Sequence, residues 1–155
     1  MPKPWSSRNS PPPPPMSCGL PARHGTCGSY CGPGDPATAV QGEAVLLREA
    51  LVNLLQNAFE FSPAGGEVVL SWTKNEDRVA FAVEDAGPGA PDYALPRVFE
   101  RFYSLPRPGT ERKSTGLGLA LVREIALLHG GGATLENRPT GGAIAMLWIP
   151  AKITQ

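Results

Sequence analysis

The chain changes character abruptly between residues 36 and 38, and that break limits what it can fold into. In residues 1–36 the only Leu, Ile, Val or Phe is Leu20, while prolines and glycines crowd together and Pro11 to Pro15 run unbroken. Such a stretch buries too little apolar surface to offset the entropy of ordering it. It is expected to be disordered, with polyproline II character around the five prolines. The proline run is either a ligand for an aromatic-lined groove or an unselected tail, the tail being the simpler reading. The expected organisation is therefore a Pro/Gly-rich segment over 1–37 and one folded domain over 38–155, long enough for a modest core.

All three cysteines, Cys18, Cys27 and Cys31, fall in the first segment, together with His24. Four such side chains can ligate zinc, but their spacing matches no established zinc pattern. An odd cysteine count also argues against a disulfide framework. The 14 basic and 14 acidic residues balance, so no nucleic acid and no anionic membrane surface is indicated as a partner. No apolar run approaches the ~20 residues of a membrane span, and the start lacks a secretory signal. On these grounds the chain reads as cytoplasmic.

Beyond residue 38 the patterning is that of a globular domain. A helix is expected from about Glu43 to Phe61, with Leu47, Leu51, Leu54 and Ala58 at helical spacing. Pro63 and the pair Gly65-Gly66 end it. "EVVLSWT" and "RVAFAVED", joined by the polar "KNED", suggest an antiparallel hairpin. A short helical turn is expected around Leu95 to Phe102, then a polar loop, then a helix led by Gly116 and Gly118. "GATLENR" and "GAIAMLWIP" form a second hairpin. Together these elements give an α/β two-layer sandwich, with a mixed, mainly antiparallel sheet and its helices on one face.

Three local features ask for a reason. Glu49, Asn53, Asn57 and Glu60 share one face of the long helix, and asparagine is a mediocre helix former. The stripe is either a solvated flank or a source of oxygen ligands for a hard cation such as Mg²⁺. In "EDAGPGA" an acidic residue ends an apolar strand before Gly87 and Gly89. Asp85 is placed to accept a hydrogen bond from an exocyclic amine, with the glycines baring backbone to a planar ring; a tight turn explains the motif equally well. Gly116 and Gly118 each cost a helix roughly 1 kcal/mol relative to alanine, yet they open an apolar one. A phosphate approaching the helix N-terminus is one explanation, with Arg107, Arg112 and Lys113 in the preceding loop as its counter-charges. A charged surface loop is the other.

The order of these motifs is more specific than any one of them. Asn-Leu-Leu-x-Asn-Ala, then Asp-x-Gly-x-Gly, then Phe-Glu-Arg-Phe-Tyr, then Thr-Gly-Leu-Gly-Leu resembles the ATP-binding catalytic domain of sensor histidine kinases. That fold is shared with gyrase, Hsp90 and MutL-type ATPases. The resemblance runs from about Val40 to Ile149, and Pro91 to Arg107 is most similar to the CreC subgroup of two-component sensor kinases. It implies that Asn57 ligates the Mg²⁺ on the phosphates, supported by Asn53, and that Asp85 recognises the adenine amino group in a pocket shaped by Gly87 and Gly89. It implies that Phe99 and Phe102 anchor the nucleotide lid. Thr115, Gly116, Leu117 and Gly118 would close the lid over the phosphates, with Arg107, Arg112 or Lys113 supplying charge.

Related enzymes that hydrolyse ATP place a glutamate where this chain has Asn53. An amide cannot deprotonate water, so transfer to a histidine is favoured over hydrolysis. The implied partners are a phosphoacceptor histidine domain acting in trans and a response regulator; the full-length family is usually membrane-anchored with this domain in the cytoplasm. There are departures from the family pattern. Glu60 stands where many relatives carry lysine, and Ala90 and Ala143 replace an isoleucine and a threonine of the base pocket. Neither His24 nor His129 fits a phosphoacceptor signature. The strand that normally precedes the long helix is reduced to "TAVQ". A catalytic domain lacking its own phosphoacceptor, from a truncated or mis-started product, is the favoured expectation. A nucleotide-binding module without kinase activity is the alternative, followed by a serine kinase or ATPase of the same fold.

Overall fold

In the computed structural model, residues 28–31, 42–74, 77–106 and 115–151 are described. The expected "TAVQ" strand, the proline run, Cys18, Cys27 and His24, and the basic residues Arg107, Arg112 and Lys113 lie outside them.

Helix α1 spans Ala44–Phe61 and buries Ala50, Leu54 and Ala58, one residue per helical turn along the core side. It stops where it must: Ser62 is extended because Pro63 follows. Strands β2 (Glu67–Lys74) and β3 (Arg78–Glu84) pair antiparallel, with Leu70 opposite Val83. A 3-10 turn at Leu95–Arg97 carries its proline in the first turn, where a missing N–H costs nothing. Helix α2 covers Gly118–Leu128. Strands β4 (Gly132–Asn137) and β5 (Ala143–Pro150) close the chain as the second expected hairpin.

The sheet order is β1-β2-β3-β5-β4, antiparallel except for β1 with β2. Strand residues alternate between faces, and Val68, Val83, Ala145 and Leu147 point to the side where they meet Leu54, Ala58, Val122, Ile125 and Ala126 of the helices. One helical layer on one sheet face is the expected two-layer sandwich.

Strand β1 departs from expectation. It is Gly28–Cys31, parallel to β2 with Gly28 opposite Glu67, and it lies inside the stretch expected to be disordered. A four-residue strand of this composition leaves no pattern of side chains to read. It forms because the outer edge of β2 presents backbone N–H and C=O groups that need partners whatever side chains the partner carries.

The helices run antiparallel, joined at two points. At one, a Cβ on Gly118 would lie 3.1 Å from Asn53 Oδ1, so the glycine lets α2 approach α1 closely. At the other, the Glu43 N–H donates to His129 Nε2 at 3.0 Å, while His129 Nδ1 donates to the Ile125 carbonyl at 2.7 Å. Both ring nitrogens of His129 are thus committed to main chain, which agrees with its poor fit to a phosphoacceptor.

Candidate nucleotide site

Segments far apart in sequence meet around a cavity of about 440 Å³. The polar side of α1 supplies Asn53, Gln56, Asn57 and Glu60; the loop after β3 supplies Asp85, Gly89 and Ala90; Thr115, Gly116, Gly118 and Leu119 bring in the start of α2. Val98, Tyr103, Ser104, Leu105, Leu135 and Ala143 complete the lining together with Phe61.

Asp85 is 6 % exposed. Burial of a carboxylate demands hydrogen bonds, and Oδ1 accepts two, from the N–H of Gly87 at 2.9 Å and of Ala143 at 3.2 Å. Among the described residues Oδ2 accepts none. One oxygen therefore fixes the carboxylate and the other is free to accept from a ligand in the cavity. Asn57 likewise makes no side-chain hydrogen bond among the described residues. Asn53 donates Nδ2 to the Glu49 carbonyl at 2.9 Å, the preceding turn of its own helix, which turns Oδ1 toward Gly118.

The cap residue of α2 is Leu117, whose side chain offers no capping hydrogen bond. The first-turn N–H groups of a helix have no internal partner and carry the positive end of its dipole, and here they stand at the cavity wall lined by Gly118 and Leu119. The site thus combines an oriented carboxylate acceptor, the uncommitted Asn57 amide and a helix N-terminus. It suits a ligand with an amine donor at one end and anionic oxygens at the other.

The glycines have structural reasons that the motifs alone did not reveal. Gly116 has φ +71°, a region L-residues avoid, and a Cβ there would lie 2.6 Å from the Phe102 carbonyl carbon. The Phe102 N–H donates to the Gly116 carbonyl at 3.0 Å. What comes close to Gly116 is therefore main chain, tying Phe102 to the residues just before α2. Gly87 bares its α-carbon to the Phe61 carbonyl and Gly89 to the Asn137 side chain.

Of the residues expected at the site, Asn53, Asn57, Asp85, Gly89, Thr115, Gly116 and Gly118 line the cavity. Gly87 stands behind it, holding Asp85. Phe99, Phe102 and Leu117 do not line it; Phe102 is 78 % exposed, with φ +66°. Tyr103, the next residue, faces the cavity instead, with the Arg97 guanidinium stacked 4.5 Å over its ring. Gln56, Phe61, Val98, Tyr103, Ser104, Leu105, Leu119 and Leu135 were missed. Most are apolar residues indistinguishable in sequence from core; only Tyr103, the last residue of the Phe-Glu-Arg-Phe-Tyr run, carried a signal.

Residues 42–153 match the family described as histidine kinase-, DNA gyrase B-, and HSP90-like ATPase. The chain belongs to this ATPase family. Its relatives place the ATP-binding domain in the histidine kinase branch. The sensor protein CreC of Escherichia coli (strain K12) is 51 % identical over 115 residues, which is 74 % of this chain and 24 % of CreC. The chain thus spans about a quarter of that relative. The ATP-binding domain of PrrB from Mycobacterium tuberculosis superposes with TM-score 0.64 at 36 % identity, covering 81 % of this chain and 80 % of that one. Full-length ShkA, solved in complex with AMPPNP, matches with TM-score 0.67 at 27 % identity over 84 % of this chain and 26 % of its own. Among the described residues no helix of this ATPase-family domain is long and apolar enough to cross a membrane.

Proposed function

We propose that the domain holds Mg²⁺-ATP for phosphoryl transfer to a histidine, as the catalytic part of a sensor histidine kinase. The observation that carries this is the meeting of Asp85, Asn57 and the α2 N-terminus on one cavity. Asp85 Oδ2 accepts from the adenine amino group. The first-turn N–H groups of α2, with Thr115, Gly116 and Leu117, receive the phosphates, and Arg107, Arg112 or Lys113 adds charge against Glu60. In this reading Gly87 and Gly89 shape the base end, and Phe99 and Phe102 anchor the start of the lid without touching ligand.

The donor set fits a Mg²⁺ ion. A hard cation on ATP needs one or two protein oxygens beside phosphate and water, and Asn57 has an uncommitted amide oxygen with Asn53 one turn away. When bound, the ion neutralises charge on the phosphates. The chain's own residues do the rest, which in phosphoryl transfer is chiefly positioning and electrostatic stabilisation. The Asn53 amide is no base, so the site is suited to an incoming histidine and not to an activated water.

The partners in this reading are ATP, a phosphoacceptor histidine domain acting in trans, and a response regulator, and the domain works in the cytoplasm, where ATP is. Exposed Leu121 and Leu128 of α2 offer apolar surface to the phosphoacceptor helices. Calorimetric titration with ATP, with and without Mg²⁺, tests the core of the proposal. Asp85→Asn should weaken ATP binding, and Asn57→Ala should abolish its Mg²⁺ dependence. A folded wild-type chain with no binding at millimolar ATP would sink the reading.

A further inference from the structure

The loop that carries Asp85 cannot hold its own shape. Residues Asp85 to Ala90 form no helix or strand, and backbone polar groups near a cavity need partners from elsewhere. The Gly87 N–H turns in to Asp85 Oδ1, the Asp85 N–H donates to the Ala143 carbonyl and the Ala86 N–H to Ser62 Oγ at 3.4 Å. The remaining partners come from two consecutive residues, Asn137 at the end of β4 and Arg138 just after it.

Asn137 treats Ala90 as a neighbouring strand would. Its Oδ1 accepts the Ala90 N–H at 2.8 Å and its Nδ2 donates to the Ala90 carbonyl at 2.7 Å. An amide of this length offers both an acceptor and a donor to the N–H and C=O of one residue; aspartate lacks the donor. The fit is close enough that a Cβ on Gly89, whose φ is +75°, would come within 2.6 Å of Asn137 Oδ1. Arg138 fastens the loop's other end, donating from Nη1 to the Asp85 carbonyl at 3.0 Å while Nη2 stands 3.6 Å from the Glu84 carboxylate. The Arg138 N–H closes the β4–β5 turn on the Gly142 carbonyl at 2.8 Å, and Gly142 leaves its Cβ position to the Asp85 carbonyl. Asn137 also pairs across the sheet with Ala143, the residue whose N–H holds Asp85 Oδ1. Both ends of the loop are thus set by one turn of chain.

We propose that Asn137 and Arg138 are positioning residues of the nucleotide site, clamping the Asp85–Ala90 loop so that the free Asp85 oxygen faces a purine amine. This rests on the ATP reading above. Neither residue touches ligand; both act through Asp85 and Ala90. Losing the clamp lets the carboxylate turn, which removes the preference for a base carrying an amine donor. The phosphate end, on the far side of the cavity, is unaffected.

The test measures ATP and GTP affinities and the ligand-free melting temperature for the wild type, Asn137→Ala, Asn137→Asp and Arg138→Met. Asn137→Ala should weaken ATP about tenfold, as expected when a satisfied pair of backbone groups loses its partner. GTP affinity should change far less, so the ATP/GTP preference shrinks. Asn137→Asp keeps the shape and the acceptor but loses the donor, and should behave like Asn137→Ala; it carries the test if the alanine variant fails to fold. Arg138→Met should shrink the preference in the same direction. A merely structural role would lower the melting temperature and weaken both nucleotides by the same factor, and that result overturns the proposal. Unchanged ATP affinity in the Asn137 variants overturns it as well. A wild type that binds neither nucleotide would defeat the ATP reading itself, with no variant involved, and the clamp with it.

Discussion

At the Asp85 end of the cavity, the Arg138 and Asn137 side chains and the Ala143 main chain pin the loop at its start and end, and the loop's own Gly87 N–H holds the Asp85 carboxylate. The opposite end is held by contacts of another kind. The Phe102 N–H meets the Gly116 carbonyl, and Arg97 stacks on Tyr103 while pairing with Glu100 at 3.2 Å through side chains about half exposed. The difference assigns the two ends different work. A group that reads a base by one hydrogen bond must be oriented before the ligand arrives, because an unplaced acceptor selects nothing. A phosphate end relies on N–H groups and charge, whose attraction is less directional.

Substitutions can break or sharpen that contrast. The largest effect is expected from Gly142→Ala, because its φ of +81° disfavours a side chain and the new Cβ would collide with the Asp85 carbonyl. Urea unfolding should show a loss on the order of 2–4 kcal/mol, and adenosine binding should disappear with it. Gly116→Ala comes next, costing about 1–2 kcal/mol for the left-handed backbone. It strikes the other end, so ATP affinity should fall in titration while adenosine affinity holds; equal losses for both ligands would erase the distinction between the two ends. His129→Ala removes the acceptor for the Glu43 N–H and should lower unfolding stability by about 1 kcal/mol, leaving nucleotide affinity unchanged because it is remote from the cavity. Arg97→Ala should be the mildest. Exposed pairs and stacked cations contribute under ~1 kcal/mol, and at most a small change in ATP affinity, with none for adenosine, is expected from losing support beneath Tyr103.

How the sequence could be read follows from the range of the forces involved. Helix α1, helix α2 and both hairpins were legible, because their periodicity of burial is written in neighbouring residues. So was the convergence of Asn57, Asp85 and Gly118, though only through the order of four motifs and not from any one. Strand β1 was illegible, since a short edge strand is recruited by the backbone of β2 and not by its own side chains. Tyr103 was passed over for Phe102, because one residue of register in an irregular turn decides which ring faces the cavity.

The glycines mark the boundary most clearly. By itself the sequence determined that Gly87, Gly89, Gly116 and Gly118 stand where a Cβ is unwelcome, and that α1 and α2 each have one apolar side. Only the tertiary structure decided what fills those spaces: the Phe61 carbonyl, the Asn137 amide, the Phe102 main chain and the Asn53 side chain. Asn137 and Arg138 read as the unremarkable end of a strand until β4 is set beside β5 and both reach the Asp85 loop. Amphipathic periodicity is a local property of the chain, whereas a hydrogen bond between residues 47 positions apart exists only once the sheet has brought them together.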